Sequence, residues 1–123
     1  MKVYCDSSLK ESCVVIEGQT PVIYPYKQAL TNNQGEYYAL LGAMQHSYNV
    51  GIRDFDGYLD SEVVVMQNTF NEQGMPYYRT KNKELKILQR EVQRISKQFS
   101  TFKLTHIPRE ENLAGIVLEK RKC

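Results

Sequence analysis

No apolar run in the 123-residue chain approaches the roughly 20 residues that a bilayer-crossing helix requires, which excludes a membrane-spanning helix. Cysteine is scarce. Cys5, Cys13 and Cys123 make neither an even disulfide set nor a CxxC pair of the kind that holds zinc. Two of them read as small strand residues, buried or half-buried, and Cys123 as a frayed terminal thiol. The start MKVYCDSS carries no basic region, apolar core and small-residue cleavage site in sequence, so the protein is expected in the cytosol. Charge of neither sign dominates: 16 Lys and Arg stand against 14 Asp and Glu, and a net +2 does not by itself point to nucleic acid. A Gly-rich phosphate loop, a nucleophile elbow and a Cys/His pair are all missing. His46 and His106 have no second His or Cys at metal spacing.

What is present fits one globular domain over residues 1–123, with 41% apolar and 24% charged residues. MKVYCD, the polar turn SSLKES and CVVIE predict a β-hairpin. After EGQT, PVIYPY adds a third strand, and Pro21 and Pro25 place it at an edge because neither can donate to a ladder. From Thr31 the period changes. Tyr37, Leu40, Leu41, Met44 and Tyr48 recur at helical spacing behind the cap candidates Thr31, Asn32 and Asn33, and the helix should end near Asn49 to Gly51. Tyr37, Tyr38 and Tyr48 follow that period and are expected in the core or at its margin.

DFDGYLD predicts a strand, and SEVVVMQNTF a short helix capped by Ser61. NEQGMPYY is a loop. Over residues 81–99, Leu85, Leu88, Val92, Ile95 and Phe99 fall on one helix face. Lys83, Lys86, Arg90, Arg94 and Lys97 fall on the opposite one. STFKLTHIP predicts the last strand, and a final helix starts at about Asn112. The order implies an α/β fold with a mixed five-stranded sheet: three antiparallel strands first, then parallel crossovers, with helices packed on it.

Three acids stand where elements change: Asp6 and Asp60 at strand ends and Glu36 in the first turn of a helix. Strand ends after crossovers are where ligands gather in such sheets. Each acid alone is most simply a cap or a surface charge; the ordered set points to a metal. Hard divalent ions take oxygen ligands, and carboxylates both hold them and offset their charge.

Along essentially its whole length the chain resembles the ribonuclease H family. Asp6-Ser7 is similar to that family's first-strand Asp followed by a small residue, TNNQGEYYAL to its TNNxxE helix start, and LDSEVVV to its DSxxVV element. YYRTKNKEL with the helix after it, then THIPREEN, is similar to the segment leading to the last strand and helix. The resemblance implies an endoribonuclease that hydrolyses the RNA strand of an RNA/DNA hybrid with two Mg²⁺ or Mn²⁺ ions, leaving 5′-phosphate and 3′-hydroxyl ends. It implies that Asp6 bridges both ions, Glu36 serves the leaving-group side and Asp60 the attacking-water side. Asn32 and Asn33 would contact the hybrid's minor groove, where 2′-hydroxyls are exposed. Ser7 would meet a backbone phosphate or hold a turn.

Lys83, Lys86, Arg90 and Arg94 would form a phosphate track for the DNA strand, extended by Arg79 and Lys81, or else a solvated face. No obligate protein partner is implied, and a monomer is expected. The chain departs from the family in its last helix, where Asn112-Leu113-Ala114-Gly115 puts glycine in place of the fourth acid. Glu119, one turn further on, is the expected substitute ligand, with Glu110 and Glu111 as alternatives. Two other readings keep the fold: a module with a decayed site that binds nucleic acid or protein, and a nuclease acting on a different nucleic acid.

Overall fold

The computed structural model describes residues 1–121; the terminal thiol of Cys123 lies outside the described residues. The chain opens with strands β1 (Lys2–Ser7), β2 (Glu11–Ile16) and β3 (Val22–Pro25), then helix α1 (Asn32–Asn49) and strand β4 (Asp54–Leu59). Helices α2 (Glu62–Gln67) and α3 (Lys83–Ser96), strand β5 (Thr101–His106), a 3₁₀ turn (Arg109–Glu111) and helix α4 (Leu113–Lys120) complete it.

The five strands form one mixed sheet in the order β3-β2-β1-β4-β5. β1, β2 and β3 pair antiparallel, while β1 with β4 and β4 with β5 pair parallel across helical crossovers. β3, with Pro25 as its last residue, is an edge strand, as its prolines require.

Alternation along the strands divides the core between the two faces of the sheet. On one face Val3, Cys5, Val14, Ile16, Phe55 and Leu59 pack under α1 and α3, which contribute Tyr37, Leu40, Met44, Leu85, Val92 and Ile95. On the other, Cys13 and Val15 meet Ala114 and Leu118 of α4. Gly57 has a steric reason to be glycine: a Cβ there would lie 2.6 Å from the Phe55 ring and 3.0 Å from Leu104.

Helix starts follow the side chains that cap them. Thr31 and Gln34 form a reciprocal capping box on α1, Ser61 caps α2, Asn82 caps α3 and Asn112 caps α4. α2 is a helix although Val63, Val64 and Val65 favour strands, because Ser61 starts it immediately after β4 and Val64 and Val65 are buried.

Two expectations need correction. With Thr31 as the cap, Glu36 lies just beyond the first turn of α1, which contains no acid. Tyr38 is 45% exposed, since one residue after buried Tyr37 turns its side chain off the core face. Among the described residues no helix is long and apolar enough to cross a membrane.

Candidate active site

Parallel pairing sets the first distance in the site. Lys2, Val3 and Tyr4 of β1 stand opposite Asp56, Gly57 and Tyr58 of β4. Two residues further along the same register, Asp6 and Asp60 come level at the carboxyl ends of adjacent strands. Glu36 reaches them from α1. One carboxylate oxygen from each of Asp6, Glu36 and Asp60 lies within 4.8 Å of the other two.

Such crowding is costly for bare carboxylates. Burial, and then the Asp6 charge, push the Glu36 carboxyl up to about 9. Asp6 is also raised, by burial first and then by Asp60, while Arg109 opposes the shift. Glu36 Oε2 is buried with no hydrogen-bond partner. A divalent cation would relieve each of these penalties, offsetting the crowded charge and giving the unpartnered oxygen a ligand. The three residues therefore fit a hard metal ion in number, donor type and spacing.

The neighbouring groups fix these acids in place. Asn112 is fully buried. Its Nδ2 donates to the Cys5 carbonyl at 3.0 Å and lies 3.5 Å from Asp60 Oδ2, while its Oδ1 caps α4 at the Ala114 N–H. Its cap role was visible in the sequence; its link to Asp60 was not, because the two positions are far apart in the chain. Gly115 lets α4 pass close to the site, since a Cβ there would stand 2.9 Å from Asp6 Oδ2.

Glu119, expected as the substitute ligand, is not gathered with the triad. Its carboxylate is 64% exposed and lies 3.7 Å from the Arg109 guanidinium at the rim. α4 stays beside the cavity, where Leu118 and Arg121 line it, but Glu119 is engaged by Arg109. Glu110 and Glu111 are exposed in the 3₁₀ turn.

A cavity of about 700 Å³ opens over the acids, and Lys10, Arg109 and Arg121 are among its lining residues. Asn32 lines it as well, whereas Asn33 is exposed just outside. The Ser7 hydroxyl lies 2.6 Å from Tyr26 Oη and 3.0 Å from the Ser8 carbonyl, and its single proton serves one of the two at a time. Further off, α3 turns Lys83, Lys86, Arg90, Arg94 and Lys97 outward, and Arg79 and Lys81 just before it are also exposed. Arg94 is already paired with Glu91.

A mixed sheet in this order, with carboxylates meeting at the ends of its central strands, defines an RNase H-like domain. Residues 12–121 match the family model described as reverse transcriptase-like, and the chain belongs to that RNase H family. Among solved structures it is similar to RNase H1 from the halophilic archaeon Halobacterium salinarum, with 23% identity, a TM-score of 0.80 and coverage of 95% of this chain and 92% of that one. It is also similar to the N-terminal RNase H domain of a Mycobacterium tuberculosis protein, with 23% identity, a TM-score of 0.71 and 95% and 93% coverage. An RNase H1 isolated from compost, solved in complex with an RNA/DNA hybrid, matches at 22% identity and a TM-score of 0.74 over 99% of both chains. No curated protein sequence matches.

Proposed function

We propose that the protein is a divalent-metal-dependent endonuclease that hydrolyses the RNA strand of RNA/DNA hybrids. The observation that carries this reading is the convergence of Asp6, Glu36 and Asp60 within 4.8 Å at the floor of an open cavity. The solved complex of a structurally similar RNase H1 with a hybrid supports the substrate class.

Asp6, Glu36 and Asp60 would hold the ions, Mg²⁺ or Mn²⁺, with two expected. When bound, such ions lower the pKa of an attacking water and offset charge on the leaving oxygen. The protein's own groups do the rest. Lys10 and Arg109, lining the cavity, attract the phosphate backbone, and Arg121 can join by exchanging Glu11 for a phosphate. Asn32, also on its wall, would read the sugar edge of an A-form-like groove, with Asn33 beside it. Lys83, Lys86 and Arg90 on α3 offer phosphate contacts to the DNA strand, and Arg94 can join by exchanging Glu91 for a phosphate. Ser7 acts by orienting the site, because its hydroxyl is held by Tyr26. We take the protein to work as a cytosolic monomer.

Incubation of the purified protein with an end-labelled hybrid and Mg²⁺ should yield RNA fragments ending in 3′-hydroxyls. Asp60→Asn should abolish cleavage while leaving the thermal midpoint near that of the wild type. Cleavage persisting in that variant would refute the assignment.

Gly115 favours one alternative, a module of the same fold that binds hybrid without cutting it. Calorimetric titration with Mg²⁺ separates the two: the nuclease takes up metal and the module does not.

A further inference from the structure

Tyr26 follows the last residue of β3, and its backbone N–H donates to the Lys10 carbonyl at 2.8 Å, which anchors it beside the β1–β2 turn. Its phenol oxygen, which also has Ser12 nearby, makes two contacts that matter here. It lies 2.6 Å from Ser7 Oγ and donates to the Gly35 carbonyl at 3.1 Å. Ser7 is the residue after Asp6, and Gly35 is the residue before Glu36. One hydroxyl thus joins the backbone neighbours of two of the three clustered acids, across elements 28 positions apart in sequence.

The junction has no slack on its far side. A Cβ on Gly35 would lie 2.5 Å from Ser7 Oγ, so the start of α1 already rests against the Ser7 side chain. The hydroxyl of Tyr26 pulls these segments together and the Gly35–Ser7 contact stops them. Those two contacts bear on the chain neighbours of Asp6 and Glu36.

We propose that Tyr26 is a positioning residue that sets the spacing of the Asp6 and Glu36 carboxylates and thereby the affinity of the site for a divalent ion. The inference rests on the metal-dependent reading above, but Tyr26 touches neither the ion nor the substrate. Groups that orient metal ligands typically govern affinity by about 10- to 100-fold. Without the phenol oxygen, Ser7 and Gly35 lose their common partner and the carboxylates gain freedom that must be removed again when metal binds.

The test is Mn²⁺ titration of the full chain, with free Mn²⁺ followed by electron paramagnetic resonance, for the wild type, Tyr26→Phe and Tyr24→Phe. Tyr24 is the matched control. It lies on β3, two residues before Tyr26, and its hydroxyl bonds His46 Nδ1 at 2.9 Å. Tyr26→Phe should weaken Mn²⁺ binding about 10-fold or more, Ser7→Ala should shift it in the same direction, and Tyr24→Phe should leave it unchanged. Thermal midpoints of the two Phe variants should be similar, which a purely structural role of Tyr26 would not combine with a selective loss of metal.

Mn²⁺ affinity in Tyr26→Phe within about twofold of wild type, or an equal loss in Tyr24→Phe, overturns the proposal. Hybrid cleavage measured alongside keeps the two readings apart. A selective loss of Mn²⁺ affinity without cleavage by the wild type supports the positioning role and refutes the nuclease. Wild-type cleavage with an unaltered Tyr26→Phe refutes the positioning role alone. No Mn²⁺ uptake by the wild type overturns both.

Discussion

Glu36 carries the largest electrostatic burden of any acid in the site. It is held between Asp6 and Asp60 with one oxygen unpartnered, and its carboxyl is pushed up to about 9, by burial first and then by Asp6. A carboxyl whose folded pKa exceeds its unfolded value stabilises the fold fully below the unfolded pKa, and that contribution is lost as pH rises through the folded value. For Glu36 the window runs from the ordinary carboxylate range, near 4.5, to about 9. Chelator-treated protein should therefore melt several degrees lower at pH 9 than at pH 5, and Mg²⁺ should remove most of that difference. A scan by differential calorimetry with and without the ion checks this; a pH dependence unaffected by Mg²⁺ would contradict the account. The same proton must leave when metal binds, so metal affinity should rise with pH.

The acids themselves were legible in the sequence because each sits beside a strand or cap signal that fixes its element. Groups that organise them were not. Asn112 reaches Asp60 and Tyr26 reaches Ser7 and Gly35 only after distant segments have been brought together, and a local pattern carries no trace of such meetings. Glu119 was misjudged for a related reason. Helical periodicity places it on the face of Gly115, but periodicity says nothing of Arg109, which the fold brings to 3.7 Å from its carboxylate.

At the level of elements, caps and periods settled most of the fold. α1 and α3 announce themselves by apolar positions recurring at three and four, and both begin at side chains that accept from their own backbone. α2 was decided by Ser61 rather than by its valines, a case where a terminus overrides propensity. The start of α1 also bears on the site, since Thr31 and Gln34 cap it and Gln34 donates to Glu84 near the start of α3. Thr31→Ala removes the acceptor for Gln34 N–H and should cost about 1 kcal/mol, a fall of a few degrees in Tm. Urea denaturation with an unchanged slope would locate the loss in the folded state. A loss under a few tenths of a kcal/mol would show that Gln34 and Glu84 suffice to hold the turn.

Across the whole molecule, a net charge of +2 conceals a division of labour. Carboxylates converge at the carboxyl end of the central strands, and exposed Lys83, Lys86, Arg90 and Lys97 run along the outer side of α3. If the proposed nuclease reading holds, hybrid affinity should depend on salt through the phosphates that α3 would neutralise, with each contact adding about 0.7 to 0.9 to the log–log slope. The double variant Lys86→Ala, Arg90→Ala should lower that slope by roughly 1.4 to 1.8 in anisotropy titrations made with chelator. Arg94→Ala should lower it less, because Glu91 already occupies its guanidinium. Equal slopes in all three proteins would show α3 to be merely solvated.

Gly57 sits in the middle of β4, where the Phe55 ring and Leu104 fill the space its own side chain would take. That arrangement ties three positions into one inheritance. A descendant of this sequence cannot acquire a side chain at 57 by a single neutral step, because the first change meets an aromatic ring at 2.6 Å. A smaller residue at 55 has to come first or arrive together with it. Sequences that share this fold should accordingly divide into two groups, one with glycine at 57 and a large residue at 55, the other with the volumes exchanged, and few intermediates between them.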